Sequence, residues 1–320
     1  MKIPNQAKGH AAMLTANVSW GLMSPLAKIV MATGLITPIV LTDLRLFGAM
    51  VLFWLVSFFQ KPEHVPHRDL ARLFVASLLA IVLNQGSFIF GVSLSSPADA
   101  SIITTSMPLW AMVLAAFYLK EPITGKKVLG IASGALGALL LIMAGANFSG
   151  GSVEGPSARS ICGDLLVLFA QLSYASYLVF FKHFAERYSL VTIMKWMFTY
   201  AFICTLPVSY HGLATTQWEA LSAETWASIA FIVCIATFVS YMFIVVGQKN
   251  LRPTVAGMYN YVQPIVACIV TICLGMDRIT PLKCVAVLLI FSGVYLVSVS
   301  RNRQQVEAYE KNKEKNTEES

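Results

Sequence analysis

Ten long apolar runs constrain the fold of this chain more than any other feature. A helix that crosses the hydrocarbon core of a bilayer needs about 20 mostly apolar residues. Runs of this kind occupy residues 10–32, 38–59, 69–91, 98–119, 127–145, 161–181, 189–210, 225–247, 253–276 and 280–300. The first run is expected to remain as a helix, because it is longer than the core of a signal peptide and no small-residue cleavage site closes it. The sequence therefore predicts an all-α polytopic membrane protein with ten transmembrane helices, here called spans one to ten.

The composition excludes several other classes of protein. Hydrophobic residues make up 57% of the chain and charged residues only 12%. A soluble enzyme, a nucleic-acid-binding module and a disordered scaffold all require more charged or polar surface than this. The six cysteines show no C-x-x-C spacing and have no histidine nearby. No metal site and no cofactor are therefore expected.

The positions of the basic side chains predict the orientation. Of the 23 Lys and Arg residues, 17 fall on the side shared by the two termini and three, Arg159, Arg278 and Lys283, on the opposite side. Because basic loops stay in the cytoplasm, both termini are predicted to be cytoplasmic and the protein to lie in the cytoplasmic (inner or plasma) membrane. The net charge of +7 is spread over many short loops, so no nucleic-acid partner is expected.

The chain contains an internal repeat. A Gly/Ser-rich stretch divides it into a first five-helix repeat (1–145), a linker (146–160), a second five-helix repeat (161–300) and a polar tail (301–320). A shift of 156 residues places Gly91 on Gly247, Pro97 on Pro253, Pro108 on Pro264 and Gly137 on Gly293, and a shift of 154 places Gly9 on Gly163. Because each repeat has an odd number of spans, the second must be inverted relative to the first. Inverted repeats are typical of secondary transporters, whose substrate site lies near the bilayer midplane.

Two prolines mark the predicted hinges. In span four, Thr104 and Pro108 lie on one helix face with Ser101 and Thr105. Their equivalents in span nine include Asn260 and Pro264. Each proline removes the hydrogen bond to the carbonyl four residues earlier, at Thr104 and Asn260. We expect hinges at Pro108 and Pro264, with part of a binding site beside them.

Polar and aromatic residues within the spans predict the rest of the site. Polar groups at membrane depth rarely face lipid, because an unsatisfied one costs several kcal/mol. The predicted substrate-binding residues are Trp20, Asn84, Gln85, Phe88, Thr104, Gln171, Tyr174, Tyr241, Tyr259, Asn260 and Gln263. Together they predict a cavity of amides, hydroxyls and rings with no fixed charge at its centre. Small polar residues such as Ser24, Ser101 and Thr105 can equally hold helices together, and aromatic rings also pack cores.

The ionisable residues in and near the spans are predicted to have structural roles. Asp43 is predicted to be an outer partner for Lys28, and Arg45 to lie near the outer end of span two. Glu121 and Asp277 are expected at the membrane surface, as caps or as charge balance in a tight hairpin. All five histidines lie in loops or at span ends, so neither a Ser–His dyad nor an H-E-x-x-H metal site has candidates and the protein is not expected to be an enzyme.

Two stretches resemble a known family. They are NQGSFIFGVSLSSPADASIITTSMPLWAMVLAAFYLKEPIT (84–124) and GMYNYVQPIVACIVTICLGMDRIT (257–280). Through them the chain resembles the EamA branch of the drug/metabolite transporter superfamily over residues 10–300, and also the plant walls-are-thin relatives. It departs from the common pattern at Asp277–Arg278, where Glu-Arg or Glu-Pro is usual. The resemblance implies alternating access around a site enclosed by spans one, three, four, six, eight and nine.

The leading hypothesis is a secondary transporter of a small metabolite, with export of an amino acid or related metabolite as the first case. One alternative is uptake of a small organic cation such as choline, since aromatic rings attract quaternary ammonium groups. Another is a membrane receptor or scaffold that transports nothing. The expected partners are a small-molecule substrate and the lipid bilayer, and the sequence leaves monomer and homodimer open.

Overall fold

The computed structural model describes residues 5–118, 125–144, 158–181, 184, 187–251 and 259–298. In this part of the chain the regular structure is helical throughout. The α-helices are α1 (Asn5–Ala32), α2 (Pro38–Ser57), α3 (His67–Ser77), α4 (Asn84–Leu94), α5 (Pro97–Thr104), α6 (Met107–Tyr118), α7 (Gly125–Ala144), α8 (Ala158–Phe180), α9 (Leu190–Thr215), α10 (Ala223–Ala230), α11 (Ser240–Asn250), α12 (Val262–Cys273) and α13 (Pro281–Ser298).

The helices confirm the predicted all-α membrane architecture. Among the described residues, six continuous or nearly continuous helices are long and apolar enough to cross a bilayer: 38–57, 67–94, 97–118, 159–180, 190–215 and 223–247. Shorter apolar helices occupy 128–137, 262–273 and 281–293. Helix α1 has the length of a span, with 28 residues, but it is less apolar because it carries Lys8, Asn17 and Lys28. The count of ten spans therefore remains a prediction.

Two predicted segments lie largely outside the described residues. The tail 301–320 is wholly outside them, as is most of the linker 146–160. Residues 158–160 belong to the first turn of α8, so the helix begins slightly before the predicted start of the second repeat.

The two halves pack against each other through equivalent pairs of helices. Helix α1 packs against α11 and α12, while α8 packs against α4 and α6. Helix α2 pairs with α9, and α7 pairs with α13. Since the sequence shift equates span one with six, three with eight and four with nine, these are the pairs that an exchange of the two halves by a two-fold axis would produce. Helices that the sequence shift equates therefore make equivalent contacts.

Glycines allow two of these crossings to be very close. A Cβ atom on Gly163 would lie 2.8 Å from the carbonyl oxygen of Gly91, and one on Gly91 would lie 2.7 Å from the carbonyl oxygen of Gly163. At the equivalent crossing, a Cβ atom on Gly9 would lie 2.8 Å from Leu251 Cγ, and one on Gly247 would meet the side chain of Met13. Glycines that the shift equates therefore occupy equivalent helix crossings.

Irregular turns interrupt the helices beside the predicted site. A π-helical segment, Leu78–Leu83, joins α3 to α4, and a second one, Phe231–Val239, joins α10 to α11. Thr105 and Ser106 separate α5 from α6 just before Pro108. Pro264 lies in the first turn of α12, after a 3₁₀ turn at Tyr259–Tyr261. Proline is tolerated in a first turn, so Pro264 marks the start of a described helix, whereas the break near Pro108 interrupts a span.

Candidate functional site

A cavity of about 330 Å³ lies among the helices of both halves. It is lined by Trp20 and Met23 of α1, Arg45 of α2, Asn84, Gln85 and Phe88 of α4, Ser101 and Thr104 of α5, Thr105, Met107 and Pro108, Gln171 and Tyr174 of α8, Tyr241 of α11, and Asn260 and Gln263 around the start of α12. Ten of the eleven predicted substrate-binding residues therefore surround a single cavity, together with Pro108. Their roles toward a substrate remain predictions.

Much of the lining consists of residues that the repeat makes equivalent. Trp20 corresponds to Tyr174, Gln85 to Tyr241, Thr104 to Asn260 and Met107 to Gln263, and all eight line the cavity. Both halves thus contribute to the same space from matching positions. A space between two inverted repeats is the arrangement in which one half can move relative to the other around a fixed ligand.

Aromatic rings form one part of the lining. Trp20 and Tyr241 meet edge to face, with ring centroids 6.0 Å apart, and Tyr241 meets Phe198 in the same way at 6.1 Å. Phe88 and Tyr174 also line the cavity. These contacts hold the rings in place, so they can cover the apolar part of a small ligand.

Some of the predicted amides also hold helices together. Asn84 Nδ2 donates to the carbonyl oxygen of Ala170 at 2.8 Å, which joins α4 to α8. Gln263 Nε2 donates to Asn17 Oδ1 at 2.8 Å, which joins α12 to α1. Interhelical hydrogen bonds of this kind are worth about 0.6 kcal/mol on average. For Asn84 and Gln263, a structural role is thus established whatever they do toward a ligand.

Gln85 differs from its neighbour Asn84. It is 4% exposed, and neither its amide oxygen nor its amide nitrogen has a hydrogen-bond partner of good geometry. The Tyr241 hydroxyl lies beside it. A buried amide without partners costs free energy, so this side chain is available to a ligand.

The structure corrects the prediction for Tyr259. Its hydroxyl lies 2.8 Å from His10 Nδ1, near the start of α1, and it does not line the cavity. The reason is the 3₁₀ turn Tyr259–Tyr261, in which successive side chains point about 120° apart. Asn260 faces the cavity, and Tyr259 therefore cannot.

The structure also corrects the prediction that the cavity carries no fixed charge. Arg45 lines it and is only 3% exposed. Its Nε donates to Thr237 Oγ1 at 3.2 Å, and its Nη1 has no hydrogen-bond partner. Arg45 lies seven residues after Pro38, the first residue of α2, which places it about 10 Å along the helix at 1.5 Å per residue. Its long side chain can extend further from the helix. The sequence contained one signal for Arg45: no carboxylate lies one helical turn away, where the residues are Leu41, Thr42, Gly48 and Ala49.

The predicted pairing of Asp43 with Lys28 is wrong. Asp43 Oδ1 accepts a hydrogen bond from Thr205 Oγ1 at 2.5 Å. Lys28 Nζ instead donates to the carbonyl oxygens at the end of α4, those of Val92, Ser93 and Ser95, at 2.8–2.9 Å. The last carbonyls of a helix lack intrahelical partners and attract a cation.

A buried ionic cluster lies away from the cavity lining, where α5 and α13 begin. Lys283 Nζ lies 2.9 Å from Asp99 Oδ1 and 2.8 Å from Asp277 Oδ1, and Ser96 Oγ donates to Asp277 Oδ2 at 2.8 Å. We call Asp99, Asp277, Lys283 and Ser96 the Lys283 cluster. Asp277 is 6% exposed and lies in the short connection between α12 and α13, where it balances the charge of Lys283, in agreement with the charge balance predicted for this hairpin. Glu121, its predicted equivalent, lies outside the described residues.

Sequence reasoning missed a second buried carboxylate near this cluster. Asp164 of α8 is fully buried and accepts a hydrogen bond from Ser95 Oγ. Asp99 was missed for the same reason: both follow the start of an apolar run by a few residues, a position that is equally typical of an exposed helix cap.

A helical membrane bundle whose two halves enclose a cavity of polar and aromatic side chains defines the class of polytopic membrane transporters. The EamA-like transporter family matches residues 7–143 and again residues 161–299, and the chain belongs to this family. It is thus an integral membrane transporter.

Individual relatives agree with this assignment. The chain is 20% identical to the uncharacterized transporter YetK of Bacillus subtilis (strain 168), over 84% of this chain and 80% of the relative. It is 25% identical to a probable amino-acid metabolite efflux pump of Escherichia coli (strain K12), over 90% of this chain and 93% of the relative. A solved crystal structure with a TM-score of 0.60 and 16% identity covers 90% of this chain and 98% of its own, which shows a shared fold.

Proposed function

We propose that this protein exports an amino acid or a related metabolite by alternating access, with the cavity as its substrate site. The observation that supports the proposal is the cavity itself, because equivalent residues of both halves surround it. Its volume of about 330 Å³ lies at the lower end of the range of about 300–1,000 Å³ for small-molecule sites. The name of the Escherichia coli relative, a probable amino-acid metabolite efflux pump, favours export and this class of substrate.

The proposed mechanism is a rocking of one half against the other. The helix break at Thr105–Ser106, beside Pro108, and the start of α12, beside Pro264, are the points at which the cavity-lining spans can bend. One position would open the cavity to the cytoplasm and the other to the opposite side. In the predicted orientation both termini stay in the cytoplasm and the chain lies in the cytoplasmic membrane.

The alternative substrate, an organic cation such as choline, has one observation in its favour and one against it. Four rings, those of Trp20, Phe88, Tyr174 and Tyr241, line the cavity, and one ring contributes up to about 2 kcal/mol to the binding of a desolvated cation. Arg45 lines the same cavity. Two like charges about 4 Å apart repel by roughly 4 kcal/mol at an effective dielectric constant of about 20. This repulsion favours substrates without a net positive charge.

The proposal is tested by flux through the purified full-length protein in proteoliposomes. Vesicles loaded with one labelled amino acid, or with its 2-oxo acid, are diluted into buffer, and efflux is compared with that from protein-free vesicles. We expect efflux of at least one member of this set. Flux of choline alone would replace the substrate class, and the absence of flux for every solute would favour the receptor or scaffold alternative.

A further inference from the structure

Among the described residues that line the cavity, Arg45 and Gln85 have fully buried polar atoms without a hydrogen bond of good geometry. Both side chains are more than nine-tenths buried. Arg45 Nη1 is without a hydrogen bond, and the Gln85 amide forms none of good geometry although the Tyr241 hydroxyl lies beside it, whereas the Nε of Arg45 is fixed by Thr237. An unpaired buried donor costs free energy until a ligand satisfies it. The arrangement therefore has the properties of a site that a ligand completes.

The charge of the cavity is unbalanced. Among the described residues that line it, Arg45 is charged and none is a carboxylate. Arg45 also forms no ion pair with a carboxylate of the described residues, since the nearby Asp43 accepts from Thr205. A buried charge without a partner is strongly unfavourable. A ligand with one negative charge would make the occupied cavity neutral, whereas a zwitterion would leave one positive charge.

The chemistry of the two side chains selects a carboxylate. A guanidinium is a planar group of N–H donors that matches the two oxygens of a carboxylate, and the Gln85 amide supplies a further donor. A phosphate monoester carries about −1.5 to −2 charges at neutral pH, more than one guanidinium balances.

On the basis of the proposed transport function, we propose that Arg45 and Gln85 bind the carboxylate of the substrate and that the preferred substrate is a small organic acid with a net charge of −1. The rings of Trp20, Phe88 and Tyr174 would then cover its apolar side chain. A 2-oxo or 2-hydroxy acid has this chemistry. The amino acid with the same side chain adds an ammonium group for which the described lining provides no carboxylate.

Matched pairs of solutes test this proposal on the wild-type protein. Counterflow in proteoliposomes is measured for pyruvate and alanine, for 4-methyl-2-oxopentanoate and leucine, and for phenylpyruvate and phenylalanine. In each pair that is transported we expect the 2-oxo acid to have a higher kcat/KM by at least about tenfold. In detergent, the transported acid should raise the thermal unfolding midpoint, and its amide should not.

Variants assign the effect to Arg45. Arg45→Gln should lower flux of the 2-oxo acid by about 10- to 100-fold, the loss expected for hydrogen bonds to a charged group. Arg45→Lys keeps the charge without the planar donors and should retain part of the flux. Arg68→Gln, which replaces an exposed arginine of α3, should transport at the wild-type rate. Thermal unfolding midpoints show whether each variant folds. If Arg45→Gln does not fold, the paired measurements on the wild-type protein still test the proposal.

Other results of these flux measurements would overturn either the role of Arg45, the carboxylate assignment or the proposed transport function. Equal flux of acid and amino acid that is insensitive to Arg45→Gln would make Arg45 a structural residue and leave the transport function intact. Preference for an organic phosphate or for the amino acid of each pair would overturn the carboxylate assignment alone, whereas preference for choline would also overturn the proposed substrate class. If no solute of any charge crosses, the proposed function itself fails.

Discussion

At the scale of single residues, two adjacent amides show that a shared position does not mean a shared role. Asn84 and Gln85 both line the cavity, but Asn84 joins α4 to α8 through its bond to Ala170, whereas Gln85 forms no hydrogen bond of good geometry. Removal of Asn84 breaks an interhelical hydrogen bond. Removal of Gln85 eliminates two buried polar atoms that lack a well-formed hydrogen bond, which is neutral or favourable for stability.

We therefore predict opposite effects for two leucine substitutions. Asn84→Leu should lower the free energy of unfolding by about 0.6–1.7 kcal/mol, the range measured for such bonds in membrane proteins. Gln85→Leu should leave stability unchanged or higher and should reduce substrate flux by at least about tenfold. Thermal unfolding in detergent and flux in proteoliposomes measure the two effects. Loss of stability in Gln85→Leu with unchanged flux would show that Gln85 supports the bundle and does not bind substrate.

The amino-acid sequence identified most of the cavity lining but not its charge. Polar and aromatic residues within apolar spans were sufficient to select ten lining residues, because polar groups at membrane depth rarely face lipid. Tyr259 was misplaced because it was selected as an aromatic residue of a span, and aromatic residue type does not specify which way a side chain faces. Arg45 was missed because a sequence does not specify how far a long side chain reaches along its helix. In span two a shift of 152 residues places Asp43 on Lys195 and Arg45 on Met197, so the repeat gave no signal for Arg45.

At the scale of helices, the sequence repeat selected the glycines without revealing what they contact. Gly91, Gly163, Gly9 and Gly247 were paired only by their register, and the structure shows that each lies at a close crossing between one half and the other. The π-helical segments in spans three and eight could not be predicted, because their composition is that of any apolar helix. They immediately precede Asn84 and Ser240 and so determine which residues face the cavity.

A pair of alanine substitutions tests the role of these crossings. Gly163→Ala would place a methyl group 2.8 Å from the carbonyl oxygen of Gly91, and since backbone cannot move aside cheaply we expect a loss of about 1–3 kcal/mol. Gly86→Ala is the matched control, because it lies in α4 with nothing within 4 Å of the added atom. There alanine should stabilise the helix by about 0.5–1 kcal/mol. Equal unfolding midpoints for the two variants would show that α4 and α8 can move apart at this crossing without loss of stability.

At the scale of the whole molecule, the Lys283 cluster connects the two halves. Asp99 belongs to the first half, at the start of α5, and Asp277 and Lys283 belong to the second, before and within α13. Lys283 is the shared partner of both carboxylates. Alternating access requires the halves to separate at each end in turn, so a buried ionic contact between them at one end opposes opening there. By this reasoning the cluster stabilises the closed position of that end.

Replacement of Lys283 should therefore change both stability and access to the cavity. Lys283→Met leaves two buried carboxylates without their cation, and we expect a loss of about 3–5 kcal/mol, part of which Asp99→Asn should restore in the double variant.

Access is measured with a cysteine at Met107, which lines the cavity, in a chain whose six native cysteines are replaced by alanine. A membrane-impermeant thiol reagent should label this cysteine faster in Lys283→Met when it is applied from the side that the cluster faces, which the basic residues predict to be opposite the cytoplasm. Lys249→Met, an exposed substitution at the end of α11, should leave labelling unchanged. Unchanged labelling in Lys283→Met, despite reduced stability, would mean that the cluster supports the fold in every state of the cycle and does not control opening.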